Sequence, residues 1–496
     1  MKKYDLIIVG GGPGGAVAGK TGAELGLKTL IIERGNRPGE KNVSGTGLSP
    51  KVFRDFDFMK DLKLPHMRKA TMASLHLSDE RDIETASFCF SPSQNAGYPE
   101  AKDFLTINVY RSELDPFLAE LAVKAGAELI LSTKVTTLER NNPGRIVGVR
   151  TDKDELIEGD IIIGADGVIS TVAKESGIRS RWLASEVAMI INIDFGAERE
   201  NIDKVIGGNA LHYWYSAVFP VGYSFFSAGG FHIGLGCYMD WWKKNPHYYL
   251  NRMFALEGVQ RQINLCGGKA REFQNHLVTF LTTPGKTFTD SVMLIGDAAG
   301  FACPFEAEGV YYAMVSGRLA AQVAAESLRK GDVSANSLQE YETRWKNSTV
   351  GEEFFAGESI EGFVRWLGFN PDAGKWIVPF INDILFGLCN VADSHTNNAR
   401  NFGKLMLNYM PDLAKTIKLH LLPLVMAINE PPKKAPSAFI SWMLEKSLPG
   451  ILPGIAKSLA KSDNRYGAVL NPLLMDHFVE PFIQARLEKV KGEKND

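Results

Sequence analysis

The stretch Leu6-Ile7-Ile8-Val9-Gly10-Gly11-Gly12-Pro13-Gly14-Gly15 decides the fold. Its four apolar residues read as a short buried parallel strand, and the alanine-rich run from Ala16 to Leu25 reads as a helix. Gly10, Gly12 and Gly15 carry the G-x-G-x-x-G spacing between them. At Gly10 the chain must turn sharply. At Gly12 the backbone must come close to a pyrophosphate, and at Gly15 strand and helix must pack with no side chain between them. The free N–H groups of the helix start then face the negative charge. A second apolar strand, Thr29 to Ile32, ends in Glu33, 21 residues past Gly12, about where a dinucleotide fold places the acid that binds a ribose hydroxyl. Glycines alone also occur in turns of no function; strand, glycines, helix, strand and acid in order specify a dinucleotide site.

Composition narrows the class. The 496 residues are 45% hydrophobic and 23% charged, ordinary for a globular protein and long enough for two or three domains. A net charge of −2 argues against general nucleic-acid binding. The five cysteines contain no C-x-x-C pair, so neither a disulfide framework nor a zinc site is expected, and a reducing, cytoplasmic compartment fits. Lys2 and Lys3 precede an apolar stretch, but it runs into glycines without a cleavage-like site. No stretch approaches the length of a membrane span.

Along the chain, Arg111 to Gly126 reads as a helix, with Leu114, Phe117, Leu118, Leu121 and Ala122 at helical spacing. Strands are expected near Glu128–Leu131 and Ile146–Arg150 as a pair, with a turn at Asn141-Asn142-Pro143-Gly144. Ile157 to Ile163 is another strand, ending in Gly164-Ala165-Asp166-Gly167, and Val292 to Ile295 ends in Gly296-Asp297-Ala298-Ala299-Gly300. A long helix follows from about Gly309 to Lys330. These readings give an α/β, Rossmann-like dinucleotide-binding domain in three pieces (1–75, 105–180 and 285–330). A mainly β substrate domain (76–104 and 181–284) is inserted in it, and a helical C-terminal region (331–496) follows. Asp297, at the carboxyl end of a parallel strand, suits a polyol ligand; a helix N-cap is the other reading.

The segments GGGPGG with Glu33-Arg34, Gly164-Ala165-Asp166-Gly167 with Ser170, and Gly296-Asp297-Ala298-Ala299-Gly300 resemble, in that order, the three FAD signatures of the p-hydroxybenzoate-hydroxylase-type flavoproteins. Within that superfamily the resemblance is to the geranylgeranyl reductase family. It is carried by Gly296 to Ala321 (GDAAGFACPFEAEGVYYAMVSGRLAA), by Arg111-Ser112-Glu113-Leu114-Asp115, and by Tyr213 to Cys237 with its ending Ile233-Gly234-Leu235-Gly236. The loop Lys41-Asn42-Val43-Ser44-Gly45 is more like the electron-transfer-flavoprotein:quinone oxidoreductases.

The resemblance implies FAD as cofactor, held by Gly10, Gly12, Pro13, Gly14 and Gly15. Glu33 would bind the adenosine ribose, Arg34 would be a further cofactor-binding residue, and Arg111 would lie at the phosphates or ribityl chain. The backbone of Val135 would touch the adenine, Asp297 the ribityl hydroxyls, and Gly309 and Val310 the flavin ring, with Gly45 and Gly47 in the loop over it. A helix starting near Gly309 would place its positive end where a reduced flavin carries negative charge. Asp166 has either a direct cofactor role or a structural one. Where related reductases carry a loop cysteine, this chain has Ser44, either a relay for a proton or a polar turn residue. Cys303 either faces the flavin or is a small buried hydrophobe.

The implied activity is reduction of isoprenoid double bonds in a lipid or quinone, with electrons from a separate ferredoxin, flavoprotein or NAD(P)H. Rival readings are a quinone-linked dehydrogenase with a separate iron–sulfur partner, a flavin monooxygenase, and a non-catalytic flavin-bearing subunit. Beyond residue 330 only Cys389 remains, too few thiolates for a [4Fe–4S] cluster. The aromatics Tyr213, Trp214, Tyr215, Phe219, Tyr223, Phe225, Phe226 and Phe231 read either as the wall of a long apolar pocket or as sheet core. Residues 401–496 carry 13 Lys/Arg against 9 Asp/Glu between apolar clusters. They read either as amphipathic helices resting on the inner membrane face or as a cap on the flavin domain.

Overall fold

The structure is a computed structural model that describes residues 3–40, 46–91, 104–142, 144–280, 284–303, 307–354, 374–375, 377–379 and 381–382. The chain divides into two compact units, Met1–Lys375 and Trp376–Asp496; the membrane-contact reading of 401–496 falls outside the described residues.

The first sheet has a parallel core. Strand Lys3–Val9 pairs with Leu156–Gly164 on one side and Thr29–Ile32 on the other. Val292–Leu294 joins beyond the first and Glu128–Ile130 beyond the second. These strands are continuous apolar runs such as Ile161-Ile162-Ile163 because helices cover the parallel strands and leave no wet face. Helix Pro13–Glu24 packs against both Arg111–Lys124 and Val310–Arg329. The expected pairing of Glu128–Leu131 with Ile146–Arg150 is corrected here. Glu128–Ile130 is the parallel edge strand, whereas Ile146–Thr151 pairs antiparallel with Val135–Arg140 and Leu156–Gly164. Sequence adjacency suggested a hairpin, but the apolar edge of Thr29–Ile32 captures the first strand instead.

The second sheet has seven strands, in the order Lys269–Thr279, Val187–Gly196, Gly230–Tyr238, Gly222–Phe226, Asn209–Ser216, Met72–Ser78, Glu84–Phe90. All pairs are antiparallel except Asn209–Ser216 with Met72–Ser78. Its strands alternate. Phe195, Phe231, Ile233 and Leu235 meet helices Pro246–Ala255 and Glu257–Cys266 in one core, while Ile190, Tyr223, Phe225 and Gly236 look to the other side. Helix Ala335–Lys346 packs on Val310–Arg329 and on the strand Phe288–Thr289. Trp345 is buried there, so this helix belongs to the nucleotide-binding layer. No helix among the described residues is long and apolar enough to cross a membrane.

Phe231 is fully buried, stacks on Phe195 with ring centroids 5.0 Å apart and meets Phe226 in a tilted arrangement at 4.8 Å. Phe231→Ala is expected to cost about 3–5 kcal/mol. Urea denaturation checks this, and a loss below about 1 kcal/mol would contradict the assignment of that face as the core of the second sheet.

Candidate active site: a dinucleotide cradle under an apolar sheet

Gly10 ends the first strand at φ 110°, a left-handed conformation that side chains disfavour, and a Cβ there would lie 2.3 Å from the Ala165 carbonyl oxygen. A Cβ on Gly15 would lie 1.9 Å from the Gly10 carbonyl oxygen, so strand and helix touch through bare backbone. At Gly12 the nearest atom to such a Cβ is Arg111 Nη2 at 3.8 Å; the space there is open. Gly12 is also the N-cap of helix Pro13–Glu24, with Pro13 opening the helix and no side chain capping it. The first-turn amides are therefore left for a ligand.

A cavity of about 560 Å³ opens at this turn. Its floor holds Gly10, Gly12, Pro13, Gly14 and Gly15. Glu33, Arg34, Gly47, Arg111, Val135 and Asp166 continue the lining, with Asp297, Gly309 and Val310 at the other helix start. The fold thus gathers residues from across the first three hundred positions. Ser44 and Gly45 lie outside the described residues. Cys303 is not among the lining residues; it is 1% exposed and part of the hydrophobic core.

Each charged group has a distinct setting. Glu33 accepts hydrogen bonds from the amides of Gly11 (2.8 Å) and Gly35 (2.7 Å), so it braces the phosphate turn as well as lining the cavity. Arg111 is held by buried Asp115 through two bonds, Nε to Oδ1 at 2.6 Å and Nη2 to Oδ2 at 2.7 Å. Asp166 accepts from the Ser170 hydroxyl (2.5 Å) and the Val172 amide (3.1 Å), which ties it to the start of helix Thr171–Glu175. Burial raises its carboxyl above the usual range against those bonds.

Asp297 is the second residue of helix Gly296–Ala299, so it is not an N-cap, and its carboxylate makes no hydrogen bond with another described residue. Burial raises its carboxyl, with His276 and Arg111 pulling the other way. The helix Val310–Arg329 starts at Gly309, and the Glu308 carboxylate accepts from the Tyr311 amide at 3.0 Å. The positive end at the expected ring position therefore already meets one anion.

The roof is the open face of the second sheet: Ile190, Tyr213, Tyr223, Phe225, Val278 and Phe280. Of the expected aromatics, Trp214, Phe226 and Phe231 belong to the helix-covered core instead. Tyr223 is pushed up to about 12 by burial, opposed by the Asn192 amide 3.0 Å from its hydroxyl, so the wall stays neutral. His276 also lines the cavity, on strand Lys269–Thr279. Sequence reasoning missed it, because one histidine in an alternating strand has no motif around it.

The uncapped helix start fits a diphosphate, and the unpartnered Asp297 carboxylate fits polyol hydroxyls. An acid–arginine pair stands at one end and an apolar roof at the other; this donor set fits a flavin dinucleotide and defines a flavoprotein of the p-hydroxybenzoate-hydroxylase type.

The chain belongs to the FAD binding domain family, whose sequence model matches residues 3–349, and it is an FAD-dependent oxidoreductase. It is 28% identical over 373 residues to a digeranylgeranylglycerophospholipid reductase of Methanosphaerula palustris, covering 73% of this chain and 87% of that protein. It is also 28% identical over 363 residues to a probable electron transfer flavoprotein-quinone oxidoreductase of Escherichia coli, covering 70% and 82%. A crystal structure of a geranylgeranyl bacteriochlorophyll reductase-like protein from Thermoplasma acidophilum shares the fold, with a TM-score of 0.64 and 22% identity over 84% of this chain and 99% of that one.

The glycines separate cleanly by experiment. Gly12→Asp is expected to leave the fold intact and lower FAD affinity at least about 100-fold, some 2.8 kcal/mol. Gly15→Val should instead lower the melting temperature before any cofactor is added. Spectroscopic FAD titration and thermal melts check both; normal FAD binding by Gly12→Asp would refute the cradle. For Asp297, ionisation is penalised in the fold, so its cost is absent below the ordinary value of 3.8 and grows as pH rises through the elevated one. Asp297→Asn should therefore stabilise the cofactor-free protein at neutral pH, with the gain fading as the pH approaches about 4. Melts across pH check the sign.

Proposed function

We propose that this protein saturates carbon–carbon double bonds of an isoprenoid chain carried by a lipid or quinone, using electrons from an external donor. The observation that carries this is the neutral apolar roof of Ile190, Tyr213, Tyr223, Phe225 and Val278, continuous with the dinucleotide cradle in one cavity. A hydrocarbon chain gains free energy by leaving water for such a wall at roughly 25 cal/mol per Å² of apolar surface, whereas a small polar substrate gains little. The named activity of the Methanosphaerula palustris relative supports the same reading.

When bound, FAD supplies the two-electron chemistry. The chain's own residues prepare it. The amides after Gly12, with Arg111 held by Asp115, take the diphosphate, and Glu33 and Arg34 take the adenosine ribose with Val135 beside the adenine. Gly47 borders the cofactor. Asp297 accepts from the ribityl hydroxyls, while Gly309 and Val310 seat the ring. Asp166 acts mainly through Ser170 and Val172, as the brace of the neighbouring helix. Ser44, which lies outside the described residues, is assigned no step in this scheme. The buried Cys303 is a packing residue in this scheme.

The Escherichia coli relative favours a second reading, quinone reduction with a separate iron–sulfur partner. Mass spectrometry of a geranylgeranyl-bearing phospholipid after incubation with chemically reduced, FAD-loaded protein separates the two. Gain of one H2 per double bond is expected. An unchanged lipid together with rapid reoxidation by a short-chain quinone would overturn the first reading in favour of the second.

A further inference from the structure

The second sheet presents one imidazole to the cavity. His276 stands in register beside Ile190, and Ile190 beside Gly236; all three line the cavity, so the three strands turn the same row toward the cradle. The ring of His276 is half-buried and makes no hydrogen bond with another described residue. Three charged side chains reach it electrostatically from three other elements. Asp297 comes from the short helix after the strand Val292–Leu294, Arg111 from its helix, and Arg34 from beyond the strand Thr29–Ile32. On its own strand Gln274 and Val278 flank it, and neither is charged. Tyr213 and Tyr223 are the other titratable groups of the roof; burial pushes both phenols up, so they neither gain nor lose a proton near neutral pH.

The local charge decides the state of the ring. Burial pushes the His276 imidazole below its ordinary value, Asp297 opposes this, and the two guanidiniums add to it. A bound diphosphate would meet Arg111, removing its push and leaving the pull of Asp297 on the imidazole less opposed. Any further negative charge arriving in the same cavity then favours the imidazolium, because a low-dielectric pocket screens it poorly.

We propose that His276 is the proton-uptake residue of the flavin site, binding one proton from solvent as the cofactor receives its electron pair. The balance is simple. Two electrons and one proton enter the isoalloxazine, and the remaining negative charge is matched by a proton on the imidazole. If the substrate reading above holds, the hydride leaves to one alkene carbon and the His276 proton goes to the other, restoring the neutral ring. Only this last step rests on that reading.

Mediated spectroelectrochemical titration of FAD-loaded protein tests the proposal without any substrate. Between about pH 6 and about pH 8, the wild-type midpoint potential should fall with the slope of two protons per electron pair, and His276→Gln with the slope of one. His276→Lys, which carries a fixed charge, should show the shallow slope yet keep a higher potential than His276→Gln at the alkaline end. A merely structural role would not produce that split. Equal slopes in wild type and both variants overturn the proposal. Should His276→Gln fail to take up FAD, His276→Lys against wild type makes the same comparison of slopes. A wild type that shows the two-proton slope but reduces no isoprenoid refutes the substrate reading and leaves this role for His276 standing.

Discussion

The site depends on one close contact between two helices. A Cβ on Gly317 would lie 2.3 Å from the Gly14 carbonyl oxygen, and one on Gly14 would lie 2.9 Å from that of Ala313. Helix Val310–Arg329 therefore lies against helix Pro13–Glu24 backbone to backbone. That contact brings two helix starts, about three hundred residues apart in the chain, to the same cavity. One start is uncapped and free to meet a diphosphate; the other carries Glu308 on its Tyr311 amide. Side chains larger than glycine at these positions would part the helices and separate the two ends of the cofactor site.

A polar network holds the sheet over this cradle. Arg271 grips Asp194 through Nε at 2.9 Å and Nη2 at 3.0 Å, and its Nη2 also donates to the Tyr110 hydroxyl at 2.9 Å. His232 Nε2 stands 3.3 Å from the same aspartate. Tyr110 is the N-cap residue of helix Arg111–Lys124, so three strands of the second sheet are tied to the helix that supplies Arg111. Such a partly buried cluster contributes little net stability, but it fixes direction, and direction is what a roof over a cofactor requires.

The charge inside the cavity is uneven in its compensation. Arg111 is matched by Asp115 before any ligand arrives, and Glu33 by two amides. The side chains of Asp297 and His276 have no hydrogen-bond partner among the described residues, and both are kept toward their neutral forms by burial. The matched groups shape the cavity and the unmatched ones are left for chemistry; function here is carried by groups whose cost the fold does not offset.

The parallel core, the phosphate turn and the acid after the second strand were legible in the sequence. Each rests on local constraints: a continuous apolar run, a left-handed glycine, a residue spacing. So were Asp297 and the helix after Gly309, because a strand ending in small residues before a helix is itself a local pattern. The partner of Glu128–Ile130 was not, since strand pairing is chosen by which apolar edge is open in three dimensions. Nor could sequence divide the aromatics between roof and core, or separate the buried Cys303 from the cavity, because a pleat puts neighbours on opposite faces and only packing says which face is covered. His276 belongs wholly to that second kind: its meaning comes from Asp297, Arg111 and Arg34, and only the folded chain brings them to it.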